Sequence, residues 1–255
     1  MTTTPIRKSP SLPAITWEKL PEDFILPDDP ADNLLQPLFA AALRESLELA
    51  GLILESMIIA TNFGICATVD DKIVVKAPDW VYIPSVIPVT EGAIRRSYTP
   101  CREGDLPLVV LEFVSETEGG EYSINPHYPY GKWYFYERIL QVPIYGIFHP
   151  KTGDLEFYRL VSGKYEQQVP DENHRYRIEE MNLFLGVWQG KKAENTAYWL
   201  RWWDSSGNLL LWGSERLEQE RERAEQAERE LDRERIARQQ LAEKLREMGV
   251  DPENL

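Results

Sequence analysis

Apolar positions along the chain change their period several times, and each change marks an element. From 34 to 50 the run LLQPLFAAALRESLELA sets Leu34, Leu35, Leu38, Phe39, Ala42, Leu43, Leu49 and Ala50 on one stripe at about 100° per residue, which predicts a helix. Pro37 is compatible with it only in the first turn. Short β-rich runs follow: LILESMIIATN, FGICATV, the turn residues Asp70 and Asp71, and KIVVKAPDWVYIP, two of which read as a hairpin. After a polar loop from 90 to 105, PLVVLEFVSE is a continuous apolar run, the pattern of a strand covered on both faces and so of a central strand. YGKWYFYERILQ returns to helical spacing through Trp133, Tyr136, Ile139 and Leu140, and VPIYGIFHP is a further buried strand. The order strand, helix, strand predicts a crossover and a sheet with helices packed on it. LEFYRLV and KYEQQV, divided by Ser162 and Gly163, read as a hairpin that extends it.

Two later segments break this pattern. AYWLRWWDSSGNLLLW holds four of the eight tryptophans and reads as a second packed layer or a subunit contact, since so dense an exposed aromatic patch is a liability. From Ser214 onward, Glu, Arg and Gln alternate with scattered Leu and Ala, which predicts a long, solvated, charge-paired helix. Leu217, Ala224, Leu231, Arg238 and Leu245 recur at heptad spacing. Their partner positions Glu220, Ala227, Glu234, Leu241 and Met248 leave the seam half polar, so both self-association and a lone helix stay open. The expected organisation is an arm over 1–33, an α/β domain over 34–213, a charged helix over 214–248 and a tail over 249–255.

With 255 residues and 43% hydrophobic content the chain can bury one sizeable core beside such an appendage. No run approaches the roughly 18 apolar residues that span a bilayer, and no signal-type apolar block opens the sequence, so a cytoplasmic location without membrane contact is expected. Cys66 and Cys101 lack neighbours at metal-ligand spacing and read as ordinary thiols. A formal charge of −14 excludes broad electrostatic attraction to nucleic acid and leaves only local contact. His127, His149 and His174 are isolated, no phosphate-cradling glycine loop occurs, and Ser115 and Ser123 lack a nucleophile frame.

Chemistry is left to carboxylates. Glu112 interrupts an apolar strand, and an ionised carboxylate there needs a cation, either a buried ion-pair partner or a metal. Asp79 follows Pro78 at the start of another strand, as a turn residue or as a second hard oxygen donor. Converging from adjacent strands, Asp79 and Glu112 would suit Mg²⁺, with Mn²⁺ as a substitute. Lys132 opens the helix after the Glu112 strand, near the strand ends where α/β sites form, as a solvated helix-end lysine or as a charge stabiliser. Glu45, at the margin of the first helix's stripe, is either a snorkelling surface carboxylate or a further acid of the same site. Arg95, Arg96 and Arg102 form a basic loop patch between the two acids.

In this order, APDWVYIP, PLVVLEFVSE, GKWYFYERILQVPIYGIFHP and LEFYRLVSGKY resemble the putative restriction endonuclease domain of the PD-(D/E)XK nuclease superfamily, over 34–169. The resemblance implies an α/β restriction-endonuclease-like core with a mixed central sheet flanked by helices. It also implies one divalent-metal site and hydrolysis of phosphodiester bonds, with DNA as substrate. Its acids fall on Asp79 and Glu112. The usual lysine position, two residues on, holds Val114, and the lysine of the most similar relatives falls on Lys132, with Glu45 at the place of the helix carboxylate. The rival expectation is a non-catalytic scaffold on the same fold. Self-association, through the Trp-rich region or the C-terminal helix, is compatible with both.

Overall fold

The computed structural model describes residues 15–18, 21, 35–90, 92–114 and 120–248. Most of the expected arm, Leu34, Ser115, the side chain of Leu245 and the tail from 249 lie outside the described residues. A first compact unit runs to Leu210 and a second comprises Leu211–Leu255.

Among the described residues three sheets form in the first unit. The largest contains β2 (Ile58–Ala60), β5 (Trp80–Ile83), β6 (Val109–Phe113), β7 (Ile144–His149), β8 (Asp154–Val161) and β9 (Lys164–Gln167), in the order β2-β5-β6-β7-β8-β9. Only β6 and β7 are parallel. They are joined through α2 (Lys132–Tyr134), which runs on as a π-helical segment, Phe135–Leu140. The run PLVVLEFVSE therefore supplies an interior strand, all five residues of which are buried. β8 and β9 turn at Ser162 and Gly163, both at positive φ, as the spacing predicts. β3 (Ile65–Val69) and β4 (Lys72–Lys76) pair with β1 (Ile15–Thr16) in a second sheet. Asp70 and Asp71 close their hairpin at φ 48° and 60°, the pair of positive φ values that a two-residue turn of matching twist requires. The run KIVVKAPDWVYIP is split at Ala77–Asp79 between this sheet and the main one.

Helix α1 (Gln36–Leu49) carries Pro37 in its first turn, but its buried arc is rotated from the expected stripe. Gln36, Ala40, Ser46 and Leu47 join Phe39, Ala42 and Leu43 inside, whereas Leu38 and Leu49 are each 37% exposed. The cause is a second packing partner. The Phe39 ring meets Phe113 and Phe148 of the main sheet edge-on, and also Trp199, at 5.3 Å, while Trp202 Nε1 donates to the Leu43 carbonyl at 3.2 Å. Both tryptophans belong to β12 (Asn195–Asp204), which with β10 (Arg175–Ile178) and β11 (Leu183–Lys192) forms an antiparallel third sheet. Trp199, Trp202 and Trp203 are buried within one chain, so the Trp-rich segment is a packed layer.

In the second unit α3 (Gly213–Glu247) is 35 residues long, about 50 Å at helical rise. Glu225 pairs with both Arg221 and Arg229, and Glu234 with Arg238, each at i,i+4 spacing. Leu217, Leu231 and Leu241 stand exposed. Among the described residues no helix is long and apolar enough to cross a membrane.

Candidate active site

Register builds the site. Trp80 stands opposite Leu111 and Val81 opposite Val110, so Asp79 falls opposite Glu112 where β5 begins and β6 ends. The Asp79 charge is felt by the Glu112 carboxyl, as expected of positions that the register sets side by side. Pro78 cannot extend the ladder, and Asp79 instead turns its Oδ2 onto the Phe113 N–H at 2.5 Å. Phe113 is held from the other side as well, because its carbonyl accepts from Gln36 Nε2 of α1 at 2.6 Å. The β6 backbone beside Glu112 is thereby fixed at both polar groups of one residue.

Glu112 is fully buried. Its Oε2 accepts from Lys132 Nζ at 3.2 Å and its Oε1 from the Tyr136 hydroxyl at 3.0 Å. These donors lie four residues apart on the helix after β6, the spacing that places two side chains on one face. Burial pushes the Glu112 carboxyl up to about 8, outweighing the lowering by Lys132 and Tyr136, while Asp79 adds to the rise. Burial lowers the Lys132 ammonium, but Glu112 and Asp79 together lift it above the usual lysine range. An ammonium thus faces two acids, one of which lies in a low-dielectric strand core.

Three of the four residues singled out from the sequence therefore meet: Asp79, Glu112 and Lys132. Glu45 lies elsewhere, where its Oε2 accepts from Lys192 Nζ of β11 at 2.5 Å. The α1 residues that line the small opening beside Asp79, of about 180 Å³, are Gln36, Pro37 and Ala40. Glu45 is nine residues beyond Gln36, about 13 Å along the helix axis. Arg95 is held by Glu103 at 2.6 Å and by the Ile87 carbonyl, so this member of the basic patch braces its own loop. His149, at the end of β7, shares Glu156 with Tyr122 and Tyr158 in a separate, partly exposed cluster.

Sequence reasoning missed Gln36 and Tyr136. Tyr136 was legible as the residue four after Lys132, although its apolar ring placed it in the helix stripe. Gln36, beside Pro37 at a helix start, carried no signal.

The donor set suits a hard divalent cation. Among the described residues no three His, Cys, Asp or Glu side chains are grouped to cage a metal, but Mg²⁺ usually takes one or two carboxylates and keeps several waters. Asp79 and Glu112 meet that requirement. A mixed sheet whose central strands cross over through a helix, with two acids and a lysine at their end, defines a restriction-endonuclease-like fold. Residues 27–189 match the Uma2 family, described as a putative restriction endonuclease, and the chain belongs to this family. No curated protein matches the chain.

Proposed function

We propose that the protein is a Mg²⁺-dependent endonuclease that hydrolyses phosphodiester bonds of DNA, with Asp79, Glu112 and Lys132 as its catalytic set. One observation carries the reading: the β5–β6 register sets Asp79, just before β5, opposite Glu112, and Lys132 is bonded to the latter. Asp79 and Glu112 would hold the divalent cation, which would supply Lewis acidity at the phosphate and lower the pKa of a water. Lys132 presents its ammonium at the same place, where it orients that water and offsets charge developing on a phosphoryl oxygen. Tyr136 and Gln36 keep the Glu112 carboxylate and its strand in register. Mn²⁺ is expected to substitute for Mg²⁺.

The test is nicking of supercoiled plasmid with Mg²⁺ or Mn²⁺. Lys132→Ala should lower the rate by about 10²-fold or more while retaining cation binding, because its contribution belongs to the transition state. Glu112→Gln should impair both. Wild-type activity in Lys132→Ala would overturn its role.

A second reading, a non-catalytic scaffold, draws on the saturation of Glu112 by Lys132 and Tyr136, which satisfies the buried carboxylate without a metal. Absence of nicking by every form on DNA and RNA would favour it. Under either reading α3 is the element proposed to bring copies together, since its leucines are exposed while the tryptophans of β12 are covered. Removal of 211–255 should then lower the mass found by light scattering.

A further inference from the structure

Glu121 lies in a short 3-10 turn, Gly120–Tyr122, that packs on α2. Two bonds strap this segment to the catalytic helix and strand. The Tyr145 hydroxyl of β7 donates to the Glu121 carbonyl at 2.9 Å, and the Tyr134 N–H of α2 donates to the Ser123 carbonyl at 3.3 Å. The Glu121 side chain is not at the surface. The residue is 2% exposed, and its Oε2 has no hydrogen-bond partner among the described residues. A buried carboxylate oxygen without a donor costs free energy, and side chains of this kind persist where a ligand or ordered water supplies the missing donor. The surroundings say where that donor would come from. The charge of Glu121 is among those that lift Lys132, and it also raises the Tyr145 hydroxyl. Tyr145 packs against Tyr136, the donor to Glu112, with ring centroids 5.3 Å apart. Glu121 is thus tied to Lys132 by its charge and, through its carbonyl, to Tyr145, which packs on Tyr136.

Direct coordination is disfavoured, because Asp79, Glu112 and Glu121 do not form a three-ligand group. From the buried, unpartnered oxygen on the turn that packs against α2, we infer that Glu121 is a positioning residue for the divalent-cation site, its Oε2 accepting a hydrogen bond from a water of the cation's shell. The inference rests on the cation reading of Asp79 and Glu112. It follows the general pattern in which carboxylates outside the ligand set orient coordinated water, and whose loss weakens metal affinity by roughly 10–100-fold.

The experiment is calorimetric titration of Mn²⁺ into the full chain after chelator treatment, for wild type, Glu121→Gln, Glu121→Asp and Asp79→Ala, with thermal melts of each metal-free form. Glu121→Gln should bind Mn²⁺ about tenfold or more weakly. Its metal-free form should melt no lower than wild type, because the substitution removes no hydrogen bond of Oε2 and keeps the shape. Glu121→Asp withdraws the oxygen by one methylene and should also weaken binding, so a Gln variant that fails to fold does not end the test. Wild-type affinity in the folded Glu121 variants, with Asp79→Ala deficient, would overturn this inference alone. No Mn²⁺ uptake by the wild type would overturn the cation reading and this inference with it.

Discussion

Two glutamate–lysine pairs in the first unit invite comparison. Glu45 and Lys192 approach to 2.5 Å, Glu112 and Lys132 only to 3.2 Å, so distance alone would rank the first pair higher. Burial reverses the order. The Glu45 side chain is 36% exposed and that of Glu112 fully enclosed. Water screens the first pair and competes for its donors, whereas in the second the Glu112 carboxylate has exchanged its hydration for Lys132 and Tyr136. The same two residue types thus give a surface contact in one place and a strongly perturbed, chemically poised cluster in the other. A carboxylate inside a β-strand core is a costly choice of residue, and costly residues concentrate at sites with a function.

The largest effect expected from this contrast is on stability. Lys132→Met leaves Glu112 in its strand without a compensating charge, and breaking a buried pair in this way typically costs about 3–5 kcal/mol. The loss should be smaller near pH 5, where Glu112 takes up a proton and the uncompensated charge disappears, than near pH 9. Urea unfolding at both pH values measures it. Equal losses at the two pH values would place the effect in packing rather than charge.

A second prediction follows from the direction in which Glu112 is shifted. Its carboxyl is raised in the folded protein, from 4.5 to about 8, so folding favours the protonated form. The stabilisation is fully present below the unfolded value and is lost as pH rises through the folded one. Metal-free protein should therefore lose stability between about pH 4.5 and 8. The groups facing Glu112 are Lys132 and Tyr136 from the helix after β6, Asp79 from just before β5, and Tyr145 from β7. Both Lys132 and Tyr136 are raised and stay protonated in that window. Glu112→Gln should flatten the slope, and an unchanged slope would assign it to other groups.

How much of this was legible beforehand depended on what kind of signal each residue left. Glu112 announced itself because a charge amid Val109, Val110, Leu111 and Phe113 violates the expected pattern, and the parallel β6–β7 crossover followed from the order of apolar runs. The opposition of Asp79 and Glu112 is a matter of register, which depends on where KIVVKAPDWVYIP divides, and no local pattern marks that point. The rotation of α1 had the same origin. Its buried arc is set by β12, some 160 residues further on, whose Trp199 and Trp202 meet Phe39 and Leu43 from a second side. Gln36 and Glu121 were illegible for a further reason. Polar residues in a helix start and a polar loop are ordinary, and only the fold shows that these two are buried.

The smallest expected effect is at Glu45, and it is the one that would collapse the comparison if it failed. A partly exposed pair contributes about 0.2–1 kcal/mol, so Glu45→Gln and Lys192→Met should each stay within that range, and the double variant should cost about as much as either single one, since each removes the same pair. Neither should change the rate of plasmid nicking or the affinity for Mn²⁺, because Glu45 is bonded to β11 while the α1 residues beside Asp79 are Gln36, Pro37 and Ala40. The matching change at the other end of the helix, Gln36→Ala, removes a donor to the β6 carbonyl next to Glu112 and should lower Mn²⁺ affinity measurably. Should Glu45→Gln instead weaken Mn²⁺ binding as Asp79→Ala does, the Lys192 pair would be a resting contact that the carboxylate leaves to join the site. Exposure would then no longer separate the two glutamates. Titrations of Glu45→Gln and Gln36→Ala in parallel decide between the two ends of α1.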